Sequence, residues 1–295
     1  MSQWLSGWQY RKSCTIQGSS AGAVTDYQIK IVIHYGSGTD SGRDVYLNGK
    51  CRSDFGDIRF TDSDGTTLLS YWIEELVNSD YAIFWVKIPS IPASPNTKTI
   101  YVYYGKSDAT TTSDIKATFL VGDDFNDGVL DSMWSEWDRG GAGVTVTEKN
   151  GYVEIVNNGS NSEGGIYVHL PSTMSRMVVE CKFMIPVRDS HEGFDLMLQH
   201  SARTDPSTYR DPYWDWYDYR DWYRIIEEGV GAVIYTSGSP PETSFWKSTF
   251  ILDGTYVRLI VPEGGIDISG NLSVSKSINY VYLQCGYRLS GVTVR

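Results

Sequence analysis

Long apolar runs are missing from this 295-residue sequence. No stretch approaches the roughly 18 to 20 residues that a helix needs to cross a bilayer. The longest candidates, such as Tyr27 to Tyr35, are strand-sized. Positive charge is scarce as well: 25 Lys and Arg stand against 36 Asp and Glu, for a net charge of −11 and a pI near 4.8. That balance repels phosphate backbones and anionic lipid, so nucleic acid and membrane insertion are not expected. Four Cys are too few for a disulfide-dense scaffold. The four His (His34, His169, His191 and His200) have no zinc-ligand spacing. The chain also lacks a Gly-x-Ser-x-Gly elbow, a His-Glu-x-x-His pair and a P-loop. Its first residues, Met-Ser-Gln-Trp-Leu-Ser-Gly-Trp, show neither a basic segment nor an apolar one, so no secretory signal is read there.

What is abundant is aromatic. Ten Trp, 21 Tyr and nine Phe make up 14% of the chain, alongside 29 Gly and 10 Pro. Rings and tight-turn residues together point to β-structure. Period-two alternation runs through Asp26–Ile33, Tyr81–Ile88 and Thr99–Tyr104, and Asp57–Phe60 followed by Thr-Asp-Ser-Asp-Gly and Leu68–Leu76 reads as a hairpin. The stretch Gly105–Thr118 is small, polar and free of rings, the composition of a linker or a long domain-exit loop. Beyond it, strands are expected at Val144–Thr147, Tyr152–Val156, Gly165–Leu170, Met177–Ile185, Phe194–Gln199, Trp222–Glu227, Ala232–Tyr235, Thr255–Val261 and Tyr280–Cys285. The expected fold is all-β: two tandem antiparallel β-sandwiches, residues 1–117 and 118–295.

Several stretches of the first half, in order, resemble an uncharacterised family, domain of unknown function 2341. They are Trp8–Lys12, Thr25–Ile31, Asp54–Gly65, Tyr71–Glu75, Phe84–Pro89 and Ile100–Gly105. The resemblance implies a domain of large surface and viral proteins, with no established chemistry. The second half resembles concanavalin-like (laminin-G-like) jelly rolls through Asp123–Trp134, Asp221–Ile225 and Tyr282–Gly286. That likeness implies a glycan-binding architecture, a concave sheet face that accepts ligand, and a structural Ca2+ held by Asp123 and Asp124.

Two regions carry candidate ligand residues. Tyr209–Tyr223 (YRDPYWDWYDYRDWY) holds eight rings interleaved with carboxylates and guanidinium groups. Flat rings stack on the C–H faces of sugars while charged groups bond their hydroxyls. Trp222 and Tyr223 are expected inside a strand. Tyr213, Trp214, Asp215, Trp216, Tyr217, Tyr219 and Arg220 are expected to be an exposed platform. In the second region, alternation puts Phe194, Leu196 and Leu198 in the core and Asp195, Met197 and Gln199 on the opposite face. Glu180, Lys182 and Met184 of a neighbouring strand are expected to line that same face.

A paired-carboxylate glycosidase needs a second acid near Asp195. On that face Asp195 is followed by Met197 and Gln199, with no second carboxylate, leaving Glu192 or Glu227-Glu228 to supply it across space. Asp62-x-Asp64-Gly resembles half a calcium loop, but Phe60 occupies the first ligand position and an Asx-stabilised turn explains it better. Cys14 and Cys51, and Cys181 and Cys285, are either bonded pairs or buried thiols. The reading is a non-catalytic, glycan-binding recognition or adhesion protein of a cell surface or virion, without an essential cofactor and with further domains or subunits as partners. A glycoside hydrolase or polysaccharide lyase with an unusual acid pair is the alternative, and a purely structural surface component is the third. Sequons at Asn158 and Asn271 are compatible with an external location.

Overall fold

The computed structural model describes residues 3–138, 143–149, 151–157, 163–186, 193–200, 212–217, 221–227, 230–285 and 292–294. The chain divides into two compact units, Met1–Asp123 and Asp124–Arg295. Both are built almost wholly of strands, and among the described residues no helix is long and apolar enough to cross a membrane.

The first unit runs β1 (Tyr10–Gln17), β2 (Val24–His34), β3 (Asp44–Tyr46), β4 (Arg59–Thr61), β5 (Leu68–Leu69), β6 (Tyr71–Val77), β7 (Tyr81–Ile91) and β8 (Thr97–Tyr104), then a single helical turn, α1 (Ile115–Thr118). One sheet has the order β1-β8-β4-β5 and the other β3-β2-β7-β6. The expected hairpin is present, but its return strand changes sheets after Leu69: β5 pairs with β4, and β6 pairs with β7. Its turn is the Asx type: the Asp64 carboxylate accepts from the N–H groups of Thr66 and Thr67, both at 2.9 Å. Gly65 has φ +84°, and a Cβ there would lie 2.1 Å from the Gln3 carbonyl oxygen, so no side chain fits. Apolar residues of both sheets, among them Ile33, Phe60, Tyr71, Phe84 and Val102, interlock as one core.

The segment Gly105–Thr118 is not a free linker. Asp57, fully buried, accepts from the backbone N–H groups of Arg52, Gly105 and Lys106. Arg59 donates to the Thr110 carbonyl at 2.5 Å, and the Tyr71 hydroxyl accepts from the Thr112 N–H at 3.0 Å. Phe119 then sets its ring edge-on against Trp72 and Trp85, each at 5.9 Å. A polar stretch with little apolar surface is thus fastened to the first unit by hydrogen bonds to buried groups, a mode that composition does not reveal.

The second unit contains β9 (Trp134–Asp138), β10 (Val144–Lys149), β11 (Tyr152–Asn157), β12 (Gly164–Met174), β13 (Arg176–Phe183), β14 (Phe194–Gln199), β15 (Tyr213–Tyr217), β16 (Trp222–Glu227), β17 (Gly231–Ser237), β18 (Trp246–Asp253), β19 (Tyr256–Val261), β20 (Ile266–Asn271), β21 (Ile278–Cys285) and β22 (Val292–Val294). Seven of them form an antiparallel sheet of order β17-β16-β15-β14-β21-β12-β9. A four-stranded sheet, β13-β18-β19-β20, packs on one of its faces. Phe183 of β13 stacks on Phe194 of β14 at 5.2 Å and meets Trp214 of β15 edge-on at 5.2 Å. The three-stranded sheet β10-β11-β22 approaches the same face, where Val144 closes on Gly164. The other face of the seven-stranded sheet is turned away from both.

Two expectations fail here. β13 belongs to the opposite sheet, so Glu180, Lys182 and Met184 do not line the Asp195 face; Glu180 instead pairs with Lys247 and Thr249 of β18. And Tyr213–Tyr217 is a central strand, not an exposed platform. Pro212 and the interspersed aspartates disguise it, because Asp is rare in strands unless its charge is matched.

Candidate functional site

β15 sorts its residues by alternation. Trp214 and Trp216 point into the sandwich, fully buried, with Trp214 against Phe183 and Phe194 and the Trp216 indole donating to the Gly238 carbonyl at 3.0 Å. The exposed platform expected of these tryptophans therefore does not exist. Trp222 lies inside a strand as expected, yet is only half-buried and stacks at 4.3 Å on Tyr235, which is 54% exposed. Its neighbour Tyr223 is the buried one, and burial pushes its phenol well up from the usual value. The expected order of burial is reversed, because strand register, not ring density, decides which side each ring takes.

Tyr213 and Asp215 take the other face, and there they join the second candidate region. Cross-strand partners form a polar row running Trp137, Gly165, Gln284, Asp195, Asp215, Arg224 and Tyr235. Next to it, two residues along each strand, lies a row of Tyr167, Tyr282, Met197, Tyr213 and Ile226. A third row holds His169, Tyr280 and Gln199. So the structure brings Asp195, Gln199, Tyr213 and Asp215 onto one surface.

Their charges are matched locally. Arg224 grips the fully buried Asp215 with two donors, Nε to Oδ1 at 2.9 Å and Nη2 to Oδ2, the fork geometry of the strongest carboxylate pairs. The Gln284 amide donates to Asp195 Oδ2 at 2.5 Å. Gln199 differs from both. It is 1% exposed, and its Nε2 has no hydrogen-bond partner. A buried amide donor left unsatisfied costs roughly 1 to 3 kcal/mol, the kind of debt a bound acceptor can cancel.

The rings form a track. Trp137 meets Tyr282 edge-on at 5.9 Å, Tyr282 stacks on Tyr167 at 4.9 Å, Tyr167 meets Tyr280 at 6.1 Å, and Tyr280 stacks on His169 at 4.7 Å. Met197, Tyr213 and Tyr282 are buried at its base, while Trp137, Tyr167 and Tyr280 are half-buried and His169 is exposed. Gly165 keeps the middle of the polar row low; a Cβ there would meet the Leu283 carbonyl oxygen at 2.2 Å. Sequence reasoning overlooked this track. The signal was present in β12 (Ile-Tyr-Val-His-Leu) and β21 (Tyr-Val-Tyr-Leu-Gln), where rings alternate with aliphatics.

The remaining candidates fall elsewhere. Tyr217 closes β15, and Tyr219, Arg220, Glu192, Glu228 and Asn158 lie outside the described residues. Glu227 is not available as a second acid on this surface: it accepts from the Ser273 N–H and hydroxyl at 2.7 and 2.5 Å and pairs with Lys276 at 2.9 Å. Burial raises its carboxyl, but these partners outweigh burial and hold it below the usual value. Asp124 accepts from the Asn126 amide at 2.8 Å. Among the described residues no three His, Cys, Asp or Glu side chains gather as a metal cluster, around Asp123 and Asp124 or anywhere else. All four cysteines are free thiols. Burial pushes Cys14 up to about 11 and Cys51 and Cys181 to about 12, so none is a reactive thiolate at neutral pH.

Residues 54–140 match the family described as Domain of unknown function (DUF2341). The match takes in four of the stretches read as resembling that family, from Asp54–Gly65 onward, together with the Asp57 and Arg59 locks. No curated protein matches the chain. Among solved structures, the carbohydrate binding module CBM66 from Bacillus subtilis is similar at 12% identity and a TM-score of 0.39, over 55% of this chain and 91% of that one. A Bacillus subtilis protein of unknown function with a galectin-like fold aligns at 11% identity and a TM-score of 0.39, over 55% and 88%. A sialidase aligns at 8% identity and a TM-score of 0.44, over 84% of this chain and 28% of its own length.

Proposed function

We propose that the chain is a glycan-recognition module that binds through the outward face of its seven-stranded sheet, as part of a cell-surface or virion adhesion protein. The observation that carries this reading is the pairing of two adjacent rows: half-buried rings beside buried carboxylate and amide groups. Rings supply contact area for the apolar C–H faces of a sugar, and fixed polar groups supply directional bonds to its hydroxyls. The Gln199 amide adds a buried donor with no protein acceptor.

Catalysis has weaker support. Asp195 and Asp215 are cross-strand neighbours, yet Asp215 is clamped by Arg224 and Asp195 is bonded to Gln284. A nucleophile and a proton donor must be free to exchange partners during the reaction, and these two carboxylates are tied to Arg224 and Gln284. The first unit serves in this account as a structural spacer or docking element.

A glycan array read alongside an assay for released reducing ends tests the proposal. Binding without new reducing ends is the expected result. Release of reducing ends makes the protein a glycosidase, and silence on every glycan leaves a structural role.

A further inference from the structure

We infer that the ring track takes an internal stretch of an uncharged glycan chain and discriminates against acidic sugars. The inference rests on the glycan-binding reading and specifies its ligand.

Charge is the first argument. Among the described residues of these strands that point outward, the ionisable groups besides tyrosine are Asp195, Asp215, Arg224 and His169. Arg224 is the one guanidinium among them, and its fork is committed to Asp215. A uronate or sialate carboxylate laid on this surface would meet carboxylates and no uncommitted guanidinium or ammonium among the described residues. Recognition of an anionic sugar is built from forked Arg contacts, which this surface spends on its own aspartate. The net charge of −11 adds long-range repulsion of the same sign.

Shape is the second. The track is a cluster of five rings on β9, β21 and β12 with centroids 4.7 to 6.1 Å apart along it; Trp137, Tyr167, Tyr280 and His169 reach the surface above the buried Tyr282. β9 is the last strand of the sheet among the described residues, so the track reaches the sheet's edge strand at Trp137. At the other end His169 is exposed. A row of rings that runs from the edge strand to an exposed His169 suits the middle of a chain. Recognition of a chain terminus needs a closed pocket instead. Gln199, in the row of Tyr280, supplies an amide donor for a hydroxyl or ring oxygen of the chain.

The test is calorimetric titration of the full chain with laminari-, cello-, xylo-, manno- and chitohexaose, the corresponding monosaccharides, hexagalacturonate and oligosialate. At least one neutral hexamer should bind, its monosaccharide about a hundredfold more weakly, and both acidic oligomers weakest. Tyr167→Ala and Gln199→Ala should each weaken the hexamer about tenfold or more, with melting curves recorded to confirm that both variants fold. Acidic oligomers that bind as tightly as the neutral ones overturn the inference and leave glycan recognition standing. A monosaccharide that matches its hexamer does the same. If no sugar of any kind binds, the glycan reading fails and takes the inference with it.

Discussion

The two faces of β15 differ by one residue of register and by everything else. Trp214 and Trp216 hold the sandwich together; Tyr213 and Asp215, interleaved with them, sit on the surface that carries the candidate site. A strand that looks like a single aromatic patch in the sequence is two half-patches with opposite duties. What a ring does is set by its face, and its face is set by pairing.

The largest expected effects lie on the inward face. Trp214→Ala and Trp216→Ala should each cost about 3 to 5 kcal/mol in chemical denaturation, the usual price of deleting a buried Trp. Next comes the buried ion pair. Asp215→Asn strands the Arg224 guanidinium and should cost about 3 kcal/mol, while the double change Asp215→Leu with Arg224→Met should recover most of that. A double variant as unstable as the single one would mean that Asp215 acts through something other than Arg224.

Smaller effects separate the two tryptophans from each other and from Glu227. Trp216→Phe loses the bond to Gly238, whereas the Trp214 indole N–H has no partner to lose. Trp216→Phe should therefore be the worse of the pair by about 1 kcal/mol. Glu227 is held below its ordinary value in the folded state, so its contribution is present at neutral pH. That contribution is lost as pH falls from the unfolded value, near 4.3, through the depressed folded one. Glu227→Gln should destabilise by about 1 to 2 kcal/mol at pH 7 and flatten the acid limb of the stability curve. An unchanged acid limb would show that Ser273 and Lys276 do not stabilise the ionised form.

Much of the architecture could be read before folding, since alternation is a direct consequence of strand geometry. The strands around Phe194–Gln199, Trp222–Glu227 and Tyr280–Cys285 lie where alternation places them. Asp195 and Gln199 do lie opposite the core face of Phe194, Leu196 and Leu198. The failures are equally physical. Which strands pair is a long-range property, so nothing local told that β13 lies in the opposite sheet or that β15 sits between β14 and β16. The polar strap Gly105–Thr118 was invisible for a related reason. Its anchors, Asp57, Arg59 and Tyr71, lie 41 to 51 positions earlier and act by hydrogen bonds, not apolar area.

The most direct test of the account sets the two faces against each other in one experiment: melting curves and hexasaccharide titrations of Tyr167→Ala beside those of Trp214→Ala. Tyr167 is half-buried on the outward track, so its truncation should shift stability by less than about 1 kcal/mol and still abolish most of the binding. Trp214→Ala should lower the melting temperature sharply, and its folded fraction should bind the hexasaccharide like the parent. If Tyr167→Ala binds like the parent protein while Trp214→Ala loses binding without losing stability, recognition does not lie on the outward face and the central claim is wrong.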